Sequence, residues 1–420
     1  MLIKPMSIKS VCMLLMIGAI GFLRIPVEAA GFYFPEVGTP SSLGTGGVAN
    51  VTNTYGADAA WTNPAGMTGL DEDRIFAGLQ AVLPKIEFDP STATGGGSDG
   101  GNAGETAFIP SFFYLKKLSD RTRLGFSVTA PLGGGVDYGD NFAGRYETIN
   151  AFLEGIAISP SIGYEVNEQL SVGVGVSFIY THFEQDIAIN PAIVPTVDGG
   201  DGKVKIEDAD DWGYQPFVGL TYQLSEQALF GIVYRAEMDV DLEGDLNYRN
   251  LGALTPGVDS VDISWDNPQT LEAGISYELT DKKTLFFNAG WQGWSAFSDN
   301  ELAFTGAGVA TLDRNWDDTW HAGVAFSHIE DRQGYSFGLS YESSPVDSDD
   351  RTFDLPVDEI YRFSASYSWD GKRGLDYSLG GSLTRFGNSR IDNTVQGVRV
   401  RGDFDKNYVL FLGGTLRYVF

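Results

Sequence analysis

Ala228-Leu229-Phe230-Gly231-Ile232-Val233-Tyr234-Arg235-Ala236-Glu237-Met238-Asp239-Val240-Asp241-Leu242 carries an apolar residue at every even position, with Gly231, Arg235, Glu237, Asp239 and Asp241 among the odd ones. Successive side chains leave a β-strand on opposite faces, so the stretch has one apolar and one polar face. It outlasts a soluble strand of about five or six residues. Because about 9 to 11 residues of tilted strand cross a bilayer, the excess is expected to project beyond the membrane. The pattern recurs at Leu170, Val172, Val174, Val176, Phe178 and Tyr180, interleaved with Ser171, Gly173, Gly175 and Ser177. It recurs at Leu285, Phe287, Ala289 and Trp291, and at Tyr361, Phe363, Ala365, Tyr367 and Trp369, the last set interleaved with Arg362, Ser364, Ser366 and Ser368. Apolar outside and polar inside is the arrangement of a transmembrane β-barrel. Trp291, Trp369, Tyr408 and Tyr418 stand at strand ends, where an aromatic girdle meets the membrane interface.

The connections carry the second signal. Those at 118–121, 165–168, 224–227, 279–283, 328–334 and 369–374 are short, whereas 89–106, 133–150, 187–208, 244–267, 298–315, 342–356 and 388–405 are long and polar. Short and long alternate, as periplasmic turns and extracellular loops do in an up-and-down barrel. The expectation is an all-β chain: a 14-stranded antiparallel transmembrane barrel over 73–420, its first strand at 74–88. The last strand, Tyr408, Leu410, Leu412, Gly414, Leu416 and Tyr418, runs to a terminal Phe420, which resembles the signal read by the barrel-assembly machinery.

Composition removes alternatives. Apart from one short run near the N-terminus, the apolar residues are dispersed, and no run reaches the roughly 20 residues of a transmembrane helix. That run, Val11 to Leu23, follows Lys4 and Lys9 and leads to Val27-Glu28-Ala29, which predicts a secretory signal peptide at 1–29. Cys12 lies within it, so the mature chain would hold neither disulfides nor thiolate metal sites. Formal charge is −28, and loss of Lys4, Lys9, Arg24 and Glu28 with the leader makes it −30. Such a chain repels nucleic acid. The acids cluster at 198–211 and 347–358, either as solvated loops or as sites for divalent cations bridging to lipopolysaccharide. The three histidines, His182, His321 and His328, belong to no nucleophile motif, so neither an enzyme nor a cofactor is expected, and His321 reads as a luminal packing residue. Outer-membrane lipid and lipopolysaccharide are the expected surroundings, and a monomer the expected state.

Residues 30–72 do not alternate, yet they precede the first strand. They are too few for the plug of a 22-stranded transporter. A small hatch inside the lumen is the economical reading, with Ser171, Gly173, Gly175 and Ser177 leaving room for it. Here the chain resembles the FadL/TodX (OmpP1) family of outer-membrane transporters for long-chain fatty acids and aromatic hydrocarbons. The resemblance runs through Ala30-Gly31-Phe32, the hatch motif Asn63-Pro64-Ala65, Gly144-Arg145-Tyr146, Ser159-Pro160-Ser161 with Tyr164, and Leu170-Ser171-Val172-Gly173. It continues through Tyr234-Arg235, Trp294-Ser295 with Phe297, Trp316-Asp317-Asp318-Thr319 and Ser344-Pro345. Order and spacing carry it, since Asn190-Pro191-Ala192 repeats the hatch tripeptide inside a loop; Ser159 departs from the family's usual Asn.

The resemblance implies a hydrophobic small-molecule ligand that lodges between extracellular loops, passes to a luminal pocket and leaves sideways through a gap in the wall. For that gap, Thr129-Ala130-Pro131-Leu132-Gly133-Gly134-Gly135 offers a proline that cannot donate to a ladder and glycines that permit a bend, though an ordinary strand end reads the same way. The resemblance favours the gap, formed at Pro131, Gly133, Gly134 and Gly135. It also makes Phe32 a luminal ligand contact and assigns a loop groove to Pro191, Ala192, Ile193, Val194 and Pro195 with Leu251 and Leu254, residues that would otherwise pack on one another. Arg362, inward among serines, would meet a ligand carboxylate or else a luminal acid, and Arg235 has Glu237 two residues along its face. A general porin for hydrophilic solutes is the alternative, disfavoured because a porin needs no hatch.

Overall fold

Period-2 segments fold into long antiparallel strands whose ladders close on themselves. The computed structural model describes residue 35 and residues 37–252, 257–306, 308–372 and 374–420; the expected leader, Phe32 and Leu254 lie outside the described residues. The strands are β1 (Arg74–Ala93), β2 (Ala107–Lys117), β3 (Thr122–Asp137), β4 (Asn150–Glu165), β5 (Leu170–Ile189), β6 (Gly202–Gln223), β7 (Ala228–Arg235), β8 (Met238–Arg249), β9 (Ser260–Asn267) and β10 (Thr270–Thr280). They continue as β11 (Lys283–Gln292), β12 (Asp299–Phe304), β13 (Gly308–Asp313), β14 (Thr319–Glu330), β15 (Gln333–Glu342), β16 (Ile360–Asp370), β17 (Leu375–Phe386), β18 (Ile391–Val395) and β19 (Val398–Val419). Fourteen of them form the barrel. β7 pairs with β10, β11 with β14 and β17 with β19, and β1 meets β19 from Arg74↔Val419 to Ala93↔Val400 to close the ring.

The wall has the expected polarity. In β16, Tyr361, Phe363 and Tyr367 are exposed, while Arg362, Ser364 and Ser366 are buried. Leu79, Phe108, Val174, Phe178, Phe287, Phe337, Leu379 and Leu412 extend the outer apolar belt. So large an exposed apolar face is stable only against lipid. The chain is an outer-membrane barrel with periplasmic turns and extracellular loops.

The opening stretch is not one strand. The ladder breaks at Ala236 and Glu237; below the break Tyr234 faces outward, and above it Met238, Val240 and Leu242 are buried. β8 leaves the barrel to pair with β9 and with the upper part of β6, so one apolar stripe passes from lipid to an extracellular core. Alternation alone does not say which medium covers the apolar face. For the same reason, three stretches expected to be polar loops contain the end of β8 with β9, β12 with β13, and β18. The expected first strand also runs further, to Ala93.

Inside the ring lie residues 37–70, nearly all buried. They form two single-turn helices, Pro40–Leu43 and Ala59–Thr62, and two 3₁₀ turns, Asn50–Thr52 and Pro64–Gly69. Asp58 ties the segment together, accepting from Thr39 Oγ1 at 2.6 Å, from Asn53 Nδ2 at 2.9 Å and from Ser41 Oγ. Wall glycines receive it. A Cβ at Gly338 would lie 2.0 Å from Thr45 O, at Gly231 2.2 Å from Val51 O, at Gly163 2.4 Å from Pro64 O and at Gly173 2.5 Å from Ala65 N. These notches lie on β15, β7, β4 and β5, so the segment is gripped from several sides of the wall.

Candidate functional site

The wall splits beside β3. Its ladder with β2 runs from Lys117↔Arg123 to Phe112↔Val128 and stops there, while Ala107 to Ser111 remain paired with β1. β3 goes on with β4, but its register jumps between Thr129↔Ala157 and Leu132↔Gly155, so two residues of β3, Ala130 and Pro131, face one of β4. This is a bulge that includes a residue without an N–H; it bends the strand just past the end of its ladder with β2, and pairing with β4 resumes beyond it. One extra residue also exchanges the faces: Gly125, Ser127 and Thr129 are buried below the bulge, whereas Leu132 and Gly134 turn inward above it. Gly133, Gly134 and Gly135 remain paired with Glu154, Leu153 and Phe152.

Just inside the split is a cavity of about 10 Å³ bounded by Ile109 and Ser111 of β2, Thr129 and Ala130 of β3, and Val37 and Gly38 of the N-terminal segment. Thr415 Oγ1 donates to Gly38 O at 2.5 Å, which holds the segment against β19 there.

Above it, Gly134 opens on a chamber of about 60 Å³. Leu153, Phe183, Ile263, Trp265, Phe297, Leu302, Leu312 and Leu355 make it apolar. Trp294, Phe297 and Trp316 pack edge to face at 4.9–6.1 Å behind it. One ion pair borders this apolar space. Arg314 Nη2 donates to Asp354 Oδ2 at 2.7 Å and Nη1 to Asp354 Oδ1 at 3.3 Å; Nη1 also reaches Thr352 Oγ1 at 3.0 Å, and Nε reaches Asn300 Oδ1. Burial would raise the Asp354 carboxyl, but the Arg314 charge and hydrogen bonds outweigh it and hold the group below its ordinary range.

Extracellular segments roof the chamber. Tyr138 stacks on Phe142 at 4.2 Å, and Phe353 meets both edge-on. Glu147 accepts from the Phe353 N–H at 2.7 Å and from Asn393 Nδ2 at 3.1 Å, joining the 138–149 loop to the 343–359 loop and β18. Burial pushes its carboxyl up to about 7. Arg145 and Tyr146 of the Gly-Arg-Tyr motif both bond Asp201, at 2.6 and 2.7 Å.

The expected site residues fall into separate places. Asn63 is fully buried and caps the Pro64–Gly69 turn: its Oδ1 accepts from Ala65 N at 3.1 Å, and its Nδ2 donates to Val51 O at 2.6 Å and Leu220 O at 3.3 Å. Pro64 and Ala65 sit against the wall glycines. Arg362 is buried, with its Nη1 3.0 Å from Glu342 Oε2, in a polar cluster where His321 Nε2 lies 3.0 Å from Glu272 Oε1. Gly46 and Gly47 border the same cluster, which encloses about 20 Å³. Arg235 reaches into the N-terminal segment: its guanidinium lies 4.1 Å from the Trp61 ring and 4.6 Å from Phe217, and it donates to Trp61 O. Glu237, expected beside it on the same face, stands past the end of β7; burial raises its carboxyl, and Asp266 and Asp239 add to the effect. Of the loop residues, Ile193 is exposed, Val194 half-buried and Leu251 buried, and the two loops meet where Val197 N donates to Asn250 O at 3.0 Å. Among the described residues no group of three His, Cys, Asp or Glu side chains is placed to hold a metal ion.

Sequence reasoning missed the chamber. Its signal was present as Trp294, Phe297 and Trp316 flanking a stretch expected to be a polar loop, with one arginine between acids.

Comparison with known proteins follows the same lines. The family profile described as "Outer membrane protein transport protein (OMPP1/FadL/TodX)" matches residues 23–420. A long-chain fatty acid transport protein of Escherichia coli O6:H1 is 22% identical over 404 residues, covering 87% of this chain and 89% of that protein. The crystal structure of a Pseudomonas aeruginosa FadL homologue superposes with a TM-score of 0.84 at 20% identity, over 93% of this chain and 99% of the other. That of the Pseudomonas putida toluene transporter TodX gives 0.71 at 17% identity, over 92% and 99%. At these identities the structural likeness concerns the fold.

Proposed function

Given that this chain belongs to the OMPP1/FadL/TodX family of outer-membrane transport proteins, we propose that it is a passive channel for hydrophobic compounds, long-chain fatty acids or aromatic hydrocarbons, which enter the chamber from the extracellular loops and leave through the split beside β3. The observation that carries this reading is the join of two features at one residue. Gly134 lines the apolar chamber and belongs to the strand whose ladder with β2 is broken. An apolar solute moving from loops to chamber to bilayer stays out of water throughout, which a water-filled pore does not offer.

The chamber is smaller than the roughly 150 Å³ apolar cavity that holds benzene in a soluble protein. Binding therefore requires side chains or loops to yield, and the roof at 138–149 and 343–359 is the movable part. Residues 37–70, seated in the lumen, serve as the hatch below, with Asn63-Pro64-Ala65 as a structural element of the gate. Uptake of radiolabelled oleate and toluene by cells with and without the protein tests the proposal. Expected is faster uptake of at least one; no difference for either would sink it.

A further inference from the structure

Each arginine that borders one of the cavities described, together with Arg417 at the periplasmic end, has an acid against it. Arg314 has Asp354, Arg362 has Glu342, and Arg417 has Asp376. In the chamber the pairing is tight: the two side chains are 8% and 7% exposed, and Asp354 receives both ends of the guanidinium fork. Arg314 also donates to Asn300 and Thr352. Glu147 lies near enough to act electrostatically on the same pair, so its ionisation makes the chamber's edge negative. A carboxylate brought into this space would meet Asp354 and a cation already engaged. It would stay unpaired in an apolar site or displace Asp354 into that condition, and both are costly. A hydrocarbon or an alcohol meets only the apolar walls.

We propose that the chamber selects uncharged cargo, and that Asp354 is the specificity-determining residue because it occupies Arg314. This rests on the reading of the chamber as the binding site for hydrophobic cargo. In effect the ion pair is a filled anion site: the cation that would recognise a fatty-acid carboxylate is present, but its partner is supplied by the chain itself.

The test uses two matched pairs at pH 8, toluene with benzoate and decanol with decanoate, titrated calorimetrically into the purified full-length barrel in detergent. The wild-type chain should bind the uncharged member of a pair about tenfold or more tightly than its carboxylate. Asp354→Asn should shrink that ratio by about tenfold through tighter carboxylate binding, and Arg314→Gln should widen it. A merely structural defect would weaken both members together and leave the ratio unchanged. If Asp354→Asn fails to assemble, as judged by heat-modifiable gel migration, Arg314→Gln alone decides, since its ratio must rise. A carboxylate bound as tightly as its uncharged partner by the wild-type chain overturns the inference while leaving the proposed function standing. So does an unchanged ratio in the variants. Binding of none of the four compounds overturns the proposed function, and this inference with it.

Discussion

Arg235 and Arg362 look alike in the sequence, each an inward arginine on a polar strand face, and the structure gives them different work. Arg235 lies on two aromatic rings and a carbonyl of the N-terminal segment, so Arg235→Ala should loosen that segment from the wall. Loss of partly buried cation–π contacts of about 0.5–2 kcal/mol each should lower the thermal midpoint and raise the leak current in planar bilayers. An unchanged current would show that Arg235 does not hold the segment. Arg362→Ala leaves Glu342 buried without its cation, holding only the bonds from Gln292 and Thr319, which should destabilise the barrel by about 3–5 kcal/mol, read from denaturation in detergent. Oleate binding that survives this substitution would remove Arg362 from the ligand path. Trp61 was not legible as a partner because it comes from the N-terminal segment, far from Arg235 in sequence, whereas a luminal acid was one of two partners expected for Arg362, and the neighbouring strand supplies it as Glu342.

Among elements, β3 carries a local mark of its irregularity and β8 carries none. Pro131 stands in the bulge, where a missing N–H acts whatever surrounds it, whereas Gly133, Gly134 and Gly135 beyond it stay paired with β4. Deleting Pro131 removes the one extra residue and lets β3 run against β4 without a bulge. It should extend the β2 ladder, close the split and abolish most uptake of a bound hydrophobic compound, with heat-modifiable migration showing that the barrel still assembles. Persistent uptake would place the exit elsewhere. Gly173→Leu tests the seat of the N-terminal segment, since a side chain there meets the Pro64–Ala65 backbone; the segment should be expelled and the conductance should rise. β8 was misjudged because its alternation with Asp239, Asp241 and Glu243 looks like membrane strand. Only its partners β6 and β9, found by folding, show that its apolar face is covered by protein.

At the scale of the whole molecule, the parts that repeat were legible and the parts that meet were not. Strand number, polarity and the short and long connections follow from a period and a composition that need no partner. The roof needs three distant loops to converge, and its joint is Glu147. That carboxyl titrates near 7 in the folded chain against an ordinary 4.5, so between these values the folded state keeps a proton that the unfolded state has released. The roof is therefore most stable at acid pH and loses up to about 1.4 kcal/mol per pH unit as pH rises through that window. Hydrogen exchange of 138–149 and 343–359 should be slower at pH 5 than at pH 8 after correction for intrinsic rates, and Glu147→Gln should remove the difference. A difference of opposite sign would exclude Glu147 as the cause.

The bulge at Ala130 and Pro131 has a consequence for descent as well as for transport. Because a single residue both breaks the seam and decides which side chains line the space behind it, one inserted or lost codon changes two properties together. A lineage cannot acquire the break in the seam and keep the old lining behind it, nor change that lining by the same step and keep the seam whole. On the proposed route through the split, substitution refines what enters, while a change of length at this point opens or closes the way out.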